Sequence, residues 1–271
     1  MRPILRLFFF LSLTLLGAAQ DVTPTERFAL KKLEGKTLSF HGFEGVEFTL
    51  GSGALARVVF PREAAEDRPW IWRARFWGHQ PALDIALLGK GYHVCYCDVA
   101  NLYGSPQAVA RWDEFYRFSQ ELELHPKPIL EGMSRGGLIV FNWAKANPEK
   151  VSAIYGDNPV CDIRSWPRGK SAKDWEGCLS TYGISEEQSV EFKGNPIDGL
   201  EELAAAKVPL FFVLGEADEV VPIEENALIL SKRYQALKGS VTIWRKPGQG
   251  HHPHGLSPVE PLVKALLECR N

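Results

Sequence analysis

The chain of 271 residues has no surplus of charge: 31 basic against 33 acidic residues leave a formal net charge of -2. Holding nucleic acid or an anionic membrane surface takes a basic stripe, so neither is expected as a partner. Long apolar runs are missing as well. The run at residues 7–16 is broken by Ser12 and Thr14 and falls short of the roughly 20 apolar residues that cross a bilayer. Cysteine is scarce, at 5 residues, and the spacings match no zinc pattern. None lies near residues 17–19, which argues against a lipid anchor there. No cofactor is expected.

What is present begins with a leader. Arg2 and Arg6 give a positive start, the apolar run follows, and Gly17, Ala18 and Ala19 supply small residues for cleavage. Residues 1–19 read as a secretory signal peptide and the mature protein as secreted or periplasmic, free of the membrane once cleaved. An exported protein is permitted disulfides. Cys161 and Cys178 flank one segment and are candidates to close it. Cys95 and Cys97 alternate along one strand and read as buried apolar residues.

The remaining 252 residues, 20–271, suffice for one domain with a large core. A short amphipathic helix is expected over 22–33 and a hairpin over 36–50. Strands are expected near 57–61 and 70–74. From Pro81 onward the pattern alternates. Helices are read at 83–88, 106–124, 138–146, 222–237 and 258–267, and strands at 92–97, 128–130, 151–155, 208–214 and 241–244. That alternation specifies an α/β fold, a mostly parallel central sheet with helices on both faces. Ligands of such sheets sit at the C-terminal strand ends. Residues 158–206 break the rhythm and read as a small cap-like insertion over the site.

Gly132-Met133-Ser134-Arg135-Gly136 lies where a short apolar strand turns into a helix. A residue forced into a strained turn needs small neighbours, and Gly132 and Gly136 supply them. Ser134 stands at the apex, and the next amide, of Arg135, opens a helix whose dipole favours an anion. This is the G-x-S-x-G nucleophile elbow. Asp218 follows a strand end, in a position where Asp also serves as a turn former or helix cap. Three of the seven histidines crowd into Gly250-His251-His252-Pro253-His254. A metal site there is disfavoured, because no Cys or Glu stands at ligand spacing and Pro253 stiffens the tract.

The chain resembles the α/β-hydrolase fold superfamily through the elbow, the acid loop Gly215-Glu216-Ala217-Asp218 and the histidine loop Gly248-Gln249-Gly250-His251, in the order Ser134, Asp218, His251. Within it the chain looks similar to secreted serine esterases and prolyl-oligopeptidase-like hydrolases. The resemblance implies Ser134 as nucleophile, His251 as base and Asp218 as its orienting acid. His254 is the second choice of base, with His252 pointing elsewhere. The Arg135 amide would be the first oxyanion donor. The superfamily's common His-Gly pair is missing, leaving Arg75 or Phe76 as second donor, with Arg75 preferred.

For the substrate the signals thin out. The chain has 8 Trp; Trp77, Trp166 and Trp175 fall in expected loops, suited either to stacking on sugar rings or to ordinary rim and core packing. Trp77, Asp157, Trp166 and His254 are taken as pocket residues. Arg164, Arg168 and Lys170 are candidates to meet an acidic group. The expectation is an ester of a small molecule or glycan, ahead of a peptide bond, since peptidases of the family carry a large extra domain for which this chain leaves no room. A non-catalytic binding protein of the same fold is the alternative of another class.

Overall fold

The computed structural model describes residue 33 and residues 35–269. The expected leader lies outside the described residues, as does the helix expected over 22–33 but for residue 33 itself. Nine strands form one sheet: β1 (Lys36–Phe40), β2 (Phe43–Thr49), β3 (Leu55–Val59), β4 (Trp70–Ala74), β5 (His93–Cys97), β6 (Ile129–Met133), β7 (Ala153–Asp157), β8 (Leu210–Gly215) and β9 (Val241–Lys246). Their spatial order is β1-β2-β3-β5-β4-β6-β7-β8-β9. The first three strands and the β3–β5 pair run antiparallel, while β5, β4 and β6 to β9 run parallel. Every residue of β4, β6, β7 and β8 is buried. Burial on both faces is why these strands are mostly apolar, with Arg73, Glu131 and Asp157 as the buried charged exceptions.

Two helices, α1 (Ala82–Leu88) and α8 (Glu260–Glu268), cover one face, where Leu83, Leu87, Leu262 and Leu266 join Ile71, Val94 and Phe211. On the other face lie α2 (Pro106–Glu121), α3 (Gly136–Ala146) and α7 (Ala227–Ala236). They contribute Trp112, Phe115, Phe141, Trp143 and Tyr234 to the larger core cluster. Trp72 of β4 stacks on Trp112 with ring centroids 4.0 Å apart. Among the described residues no helix is long and apolar enough to cross a membrane.

Four expectations are corrected. Helix α7 begins at Ala227, not at 222, because Asn226 is committed elsewhere: its Oδ1 accepts from the Cys161 and Asp162 amides, at 2.8 and 3.2 Å. The insertion is not irregular, but holds α4 (Ala172–Tyr182), α5 (Glu186–Val190) and α6 (Glu201–Ala205). Ser171 and Ser185 cap the first two, the latter in a reciprocal box with Gln188. Trp175 therefore lies on a helix. Cys161 and Cys178 are both free and buried, Cys161 in the larger core cluster and Cys178 with Tyr103, Leu138, Val160 and Trp166 in a third apolar cluster that seats the insertion on the sheet's C-terminal edge.

Candidate active site

Strand β6 delivers Ser134 into a left-handed conformation, φ 48°, which costs a non-glycine residue about 1–3 kcal/mol. The glycines around it are required by space. A Cβ on Gly132 would meet the Val140 side chain at 2.7 Å, and one on Gly136 the Ala74 carbonyl at 2.8 Å. Bonds from β7 and the insertion fix the turn: the Ser134 amide donates to the Asp157 carbonyl (2.9 Å), and the Val160 amide to the Ser134 carbonyl (2.8 Å). Helix α3 starts immediately after, so the Arg135 amide has no intrahelical acceptor and points where negative charge is favoured.

The structure brings Ser134, His251 and Asp218 together. His251 Nε2 lies 2.9 Å from Ser134 Oγ, and His251 Nδ1 lies 2.7 Å from Asp218 Oδ2. The other carboxylate oxygen of Asp218 accepts from the amides of Val220 (2.9 Å) and Val221 (2.8 Å). Both its oxygens are thereby occupied and the carboxylate cannot rotate. His251 and Asp218 are buried, 8% and 6% exposed.

Asn158 locks the two loops, a role its sequence context does not signal. Fully buried, it accepts from the Gly215 amide (2.8 Å) and donates to the His251 carbonyl (3.1 Å). The Ala217 amide adds a bond of 2.8 Å to the Gln249 carbonyl. Gly215 permits this approach, since any Cβ there would collide with the Gly250 carbonyl.

A second aspartate–histidine pair stands beside the first. His254 Nδ1 is 2.6 Å from Asp157 Oδ1, and the other oxygen of Asp157 accepts from Tyr155 Oη (2.5 Å) and the Gly255 amide (2.6 Å). Asp157 is fully buried and does not line the pocket as expected; it holds the residue that does. His252, expected to point away, also faces the pocket. The cavity over Ser134 has a volume of about 520 Å³ and is lined by Phe76, Trp77, His79, Ser134, Arg135, Trp166, Val220, His251, His252 and His254. Burial, then the neighbouring histidines, lower the pKa of His252; burial, then His254 and Arg73, lower that of His79.

Phe76, and not Arg75, lines this cavity. Arg75 lines a separate narrow cleft with Arg135 and Tyr103. Both Arg75 and Phe76 have positive φ, 64° and 46°, and turn the chain sharply away from β4. Beneath them the buried Arg73 guanidinium donates to the Phe76 carbonyl at 3.3 Å and also to the His79 carbonyl. It pairs with Asp84 at 2.5 Å and Glu131 at 2.9 Å. Burial raises the Glu131 pKa well above the ordinary range, and Arg73 opposes that shift only in part. Asp84 Oδ1 and Glu131 Oε2 have no hydrogen-bond partner. This knot ties the turn after β4 to the elbow strand.

The cations of the insertion are already engaged. Arg164 pairs with Asp162 (2.6 Å), Arg168 with Glu186 (3.0 Å), and Lys170 donates to the Glu219 carbonyl. None lines the pocket. The cation that does is Arg135, whose guanidinium lies over the Trp166 ring at 4.7 Å and 3.2 Å from Asp174. Among the described residues, His251, His252 and His254 form a group with metal-ligand spacing.

Comparisons with known proteins agree with the fold. The sequence profile of the prolyl oligopeptidase family matches residues 125–259. No curated protein sequence matches the chain. Among solved structures, the chain is similar to a puromycin-hydrolysing peptidase of Mycobacterium tuberculosis, at TM-score 0.64 and 15% identity, over 87% of this chain and 40% of that one. It is similar to dipeptidyl peptidase 4 of Porphyromonas gingivalis at TM-score 0.63 and 14% identity, over 85% of this chain and 36% of that one. The chain thus spans well under half the length of these peptidases. An S-formylglutathione hydrolase of Agrobacterium tumefaciens aligns over 86% of this chain and 96% of its own, at TM-score 0.61 and 15% identity.

Proposed function

We propose that the chain is a serine hydrolase of the α/β-hydrolase fold that cleaves a carboxylic ester through an acyl-enzyme. The observation that carries this reading is the unbroken line from Asp218 through His251 to Ser134, with bonds of 2.7 and 2.9 Å. His251 Nε2 takes the Ser134 proton as Oγ attacks the acyl carbon. Asp218 holds the tautomer with Nδ1–H and stabilises the imidazolium. The tetrahedral oxyanion is held by the Arg135 amide and by the turn at 75–76. Phe76, which lines the cavity, offers the other amide of that turn as a donor beside the Arg75 amide preferred from the sequence. Losing one such donor costs about 10²–10³ in turnover. His251 then gives its proton to the leaving alkoxide, and water, deprotonated by the same ring, hydrolyses the acyl-serine.

The substrate class proposed is an ester of a sugar or other small molecule, met outside the cytoplasm. Support comes from the open cavity, the aromatic wall of Phe76, Trp77 and Trp166, and the leader-like sequence at residues 1–19. A peptidase reading draws support from the family match. One experiment separates these. The purified protein is treated with a fluorophosphonate probe, then offered aryl esters, acetylated sugars and peptide amides. Labelling of wild type but not of Ser134→Ala, with turnover confined to esters, is the expected result. Amide turnover at comparable rates would establish the peptidase. No labelling would leave a ligand-binding protein of this fold.

A further inference from the structure

The three histidines of the loop after β9 do more than supply one base. His251, His252 and His254 meet edge to face, with ring centroids 5.0 Å apart for the first pair and 4.8 Å for each of the other two. One nitrogen from each lies within 4.8 Å of the others. Imidazoles that share a tetrahedral zinc ion at about 2.0–2.1 Å have centroids roughly 5 Å apart. The backbone has therefore already placed the rings, and side-chain rotation has to bring the donor nitrogens, now within 4.8 Å of one another, to the roughly 3.3 Å of a tetrahedral site.

Two of the three are also oriented as metal ligands are. Asp218 accepts from Nδ1–H of His251, and Asp157 stands 2.6 Å from Nδ1 of His254. Each carboxylate fixes the tautomer that leaves Nε2 as a lone-pair donor, the arrangement that commonly backs histidine ligands of zinc. The two buried carboxylates balance the charge of a divalent ion. His252 is exposed at the cavity mouth and completes three ligands, which leaves a fourth corner open to water. His79 stands next to that corner, its ring centroid 6.1 Å from His252 and 5.8 Å from His254. Three imidazoles need no Cys or Glu beside them, which removes the sequence argument against a metal at this tract.

We propose that this cluster binds one divalent transition-metal ion of the zinc class, and that the bound ion reversibly silences Ser134. The ion takes the lone pair of His251 Nε2, the atom that otherwise accepts the Ser134 hydroxyl proton. No proton or electron is exchanged: a nitrogen–metal bond replaces a hydrogen bond, and Ser134 keeps its proton. Binding stands apart from the hydrolytic reading, while the silencing rests on it.

The test reads binding and activity separately. Zn²⁺ is titrated into Ser134→Ala by calorimetry, and Co²⁺ is added in parallel to follow its visible absorption. A single site with a tetrahedral Co²⁺ band is expected, weakened about tenfold or more in His252→Gln and in His254→Gln. In wild type, Zn²⁺ abolishes ester turnover, EDTA restores it, and half-inhibition shifts in His252→Gln by the factor seen in binding, each rate taken against that variant's metal-free rate. Absence of heat and of a Co²⁺ band at millimolar ion overturns the proposal. So does binding that neither histidine substitution weakens, or full turnover at saturating Zn²⁺. Should the wild type prove inactive on every substrate, the calorimetry still decides the site.

Discussion

Asp218 and Asp157 hold neighbouring histidines through contacts of 2.7 and 2.6 Å, yet only His251 reaches Ser134 with its other nitrogen. His254 has the same chemistry and a bond of similar length, but it makes no bond to Ser134. Proximity to a carboxylate therefore does not identify the base; the second contact does. Asp218→Asn is expected to leave a folded protein whose kcat falls by roughly 10⁴, since an amide favours the wrong tautomer. Asp157→Asn should cost far less. Steady-state rates on one aryl ester compare the two, and the opposite ranking would move the base to His254. Asp218 was legible from its place past a strand end, and His251 from the glycine before it. Asn158 was not. Nothing in a lone asparagine announces that it bridges two loops 57 and 93 residues downstream.

The short turn after β4 shows how an element is held by groups it does not contain. Arg73 lies inside a strand whose every residue is buried, and its guanidinium supports the carbonyls of Phe76 and His79 from below. Arg73→Met should destabilise the fold by about 3–5 kcal/mol, because Asp84 is left as a buried charge without its partner. Glu131→Gln should be close to neutral, since burial favours the uncharged form of Glu131 and the amide is uncharged as well. Urea unfolding of both variants at neutral pH checks this, and a large loss in Glu131→Gln would show that Glu131 is ionised. The insertion gives a contrasting lesson. Ser171 and Ser185 cap its first two helices, but the helices are too short for an apolar period to emerge from the sequence. Their stability comes from the Tyr103–Leu138–Trp166 cluster beneath them, which no local pattern contains.

Across the whole molecule, the alternation of apolar runs and amphipathic stretches specified the sheet, its parallel half and the strand ends where the site lies. What it left open was the turn after β4, the second aspartate–histidine pair and the buried polar groups, all of which depend on contacts between distant segments. His93 is one such group. It is 3% exposed at the start of β5, where burial pushes its pKa down to about 4. The unfolded chain then binds the extra proton between the ordinary value near 6.5 and about 4. Stability is full above that window and is lost as pH falls through it, by about 3 kcal/mol for this group. His93→Gln should show a shallower acid slope than wild type in denaturant titrations between pH 7 and 4; parallel slopes would rule out His93 as the acid-sensitive group. The histidine loop, finally, is fastened at both its ends. Asn158 and Gln249 tie it to the acid loop, while Asp157 and Lys246 tie down His254 and the Pro253 carbonyl. A base held this way is aimed before any substrate arrives. On the proposed hydrolytic reading, acylation would start from the first encounter, without waiting for a loop to close.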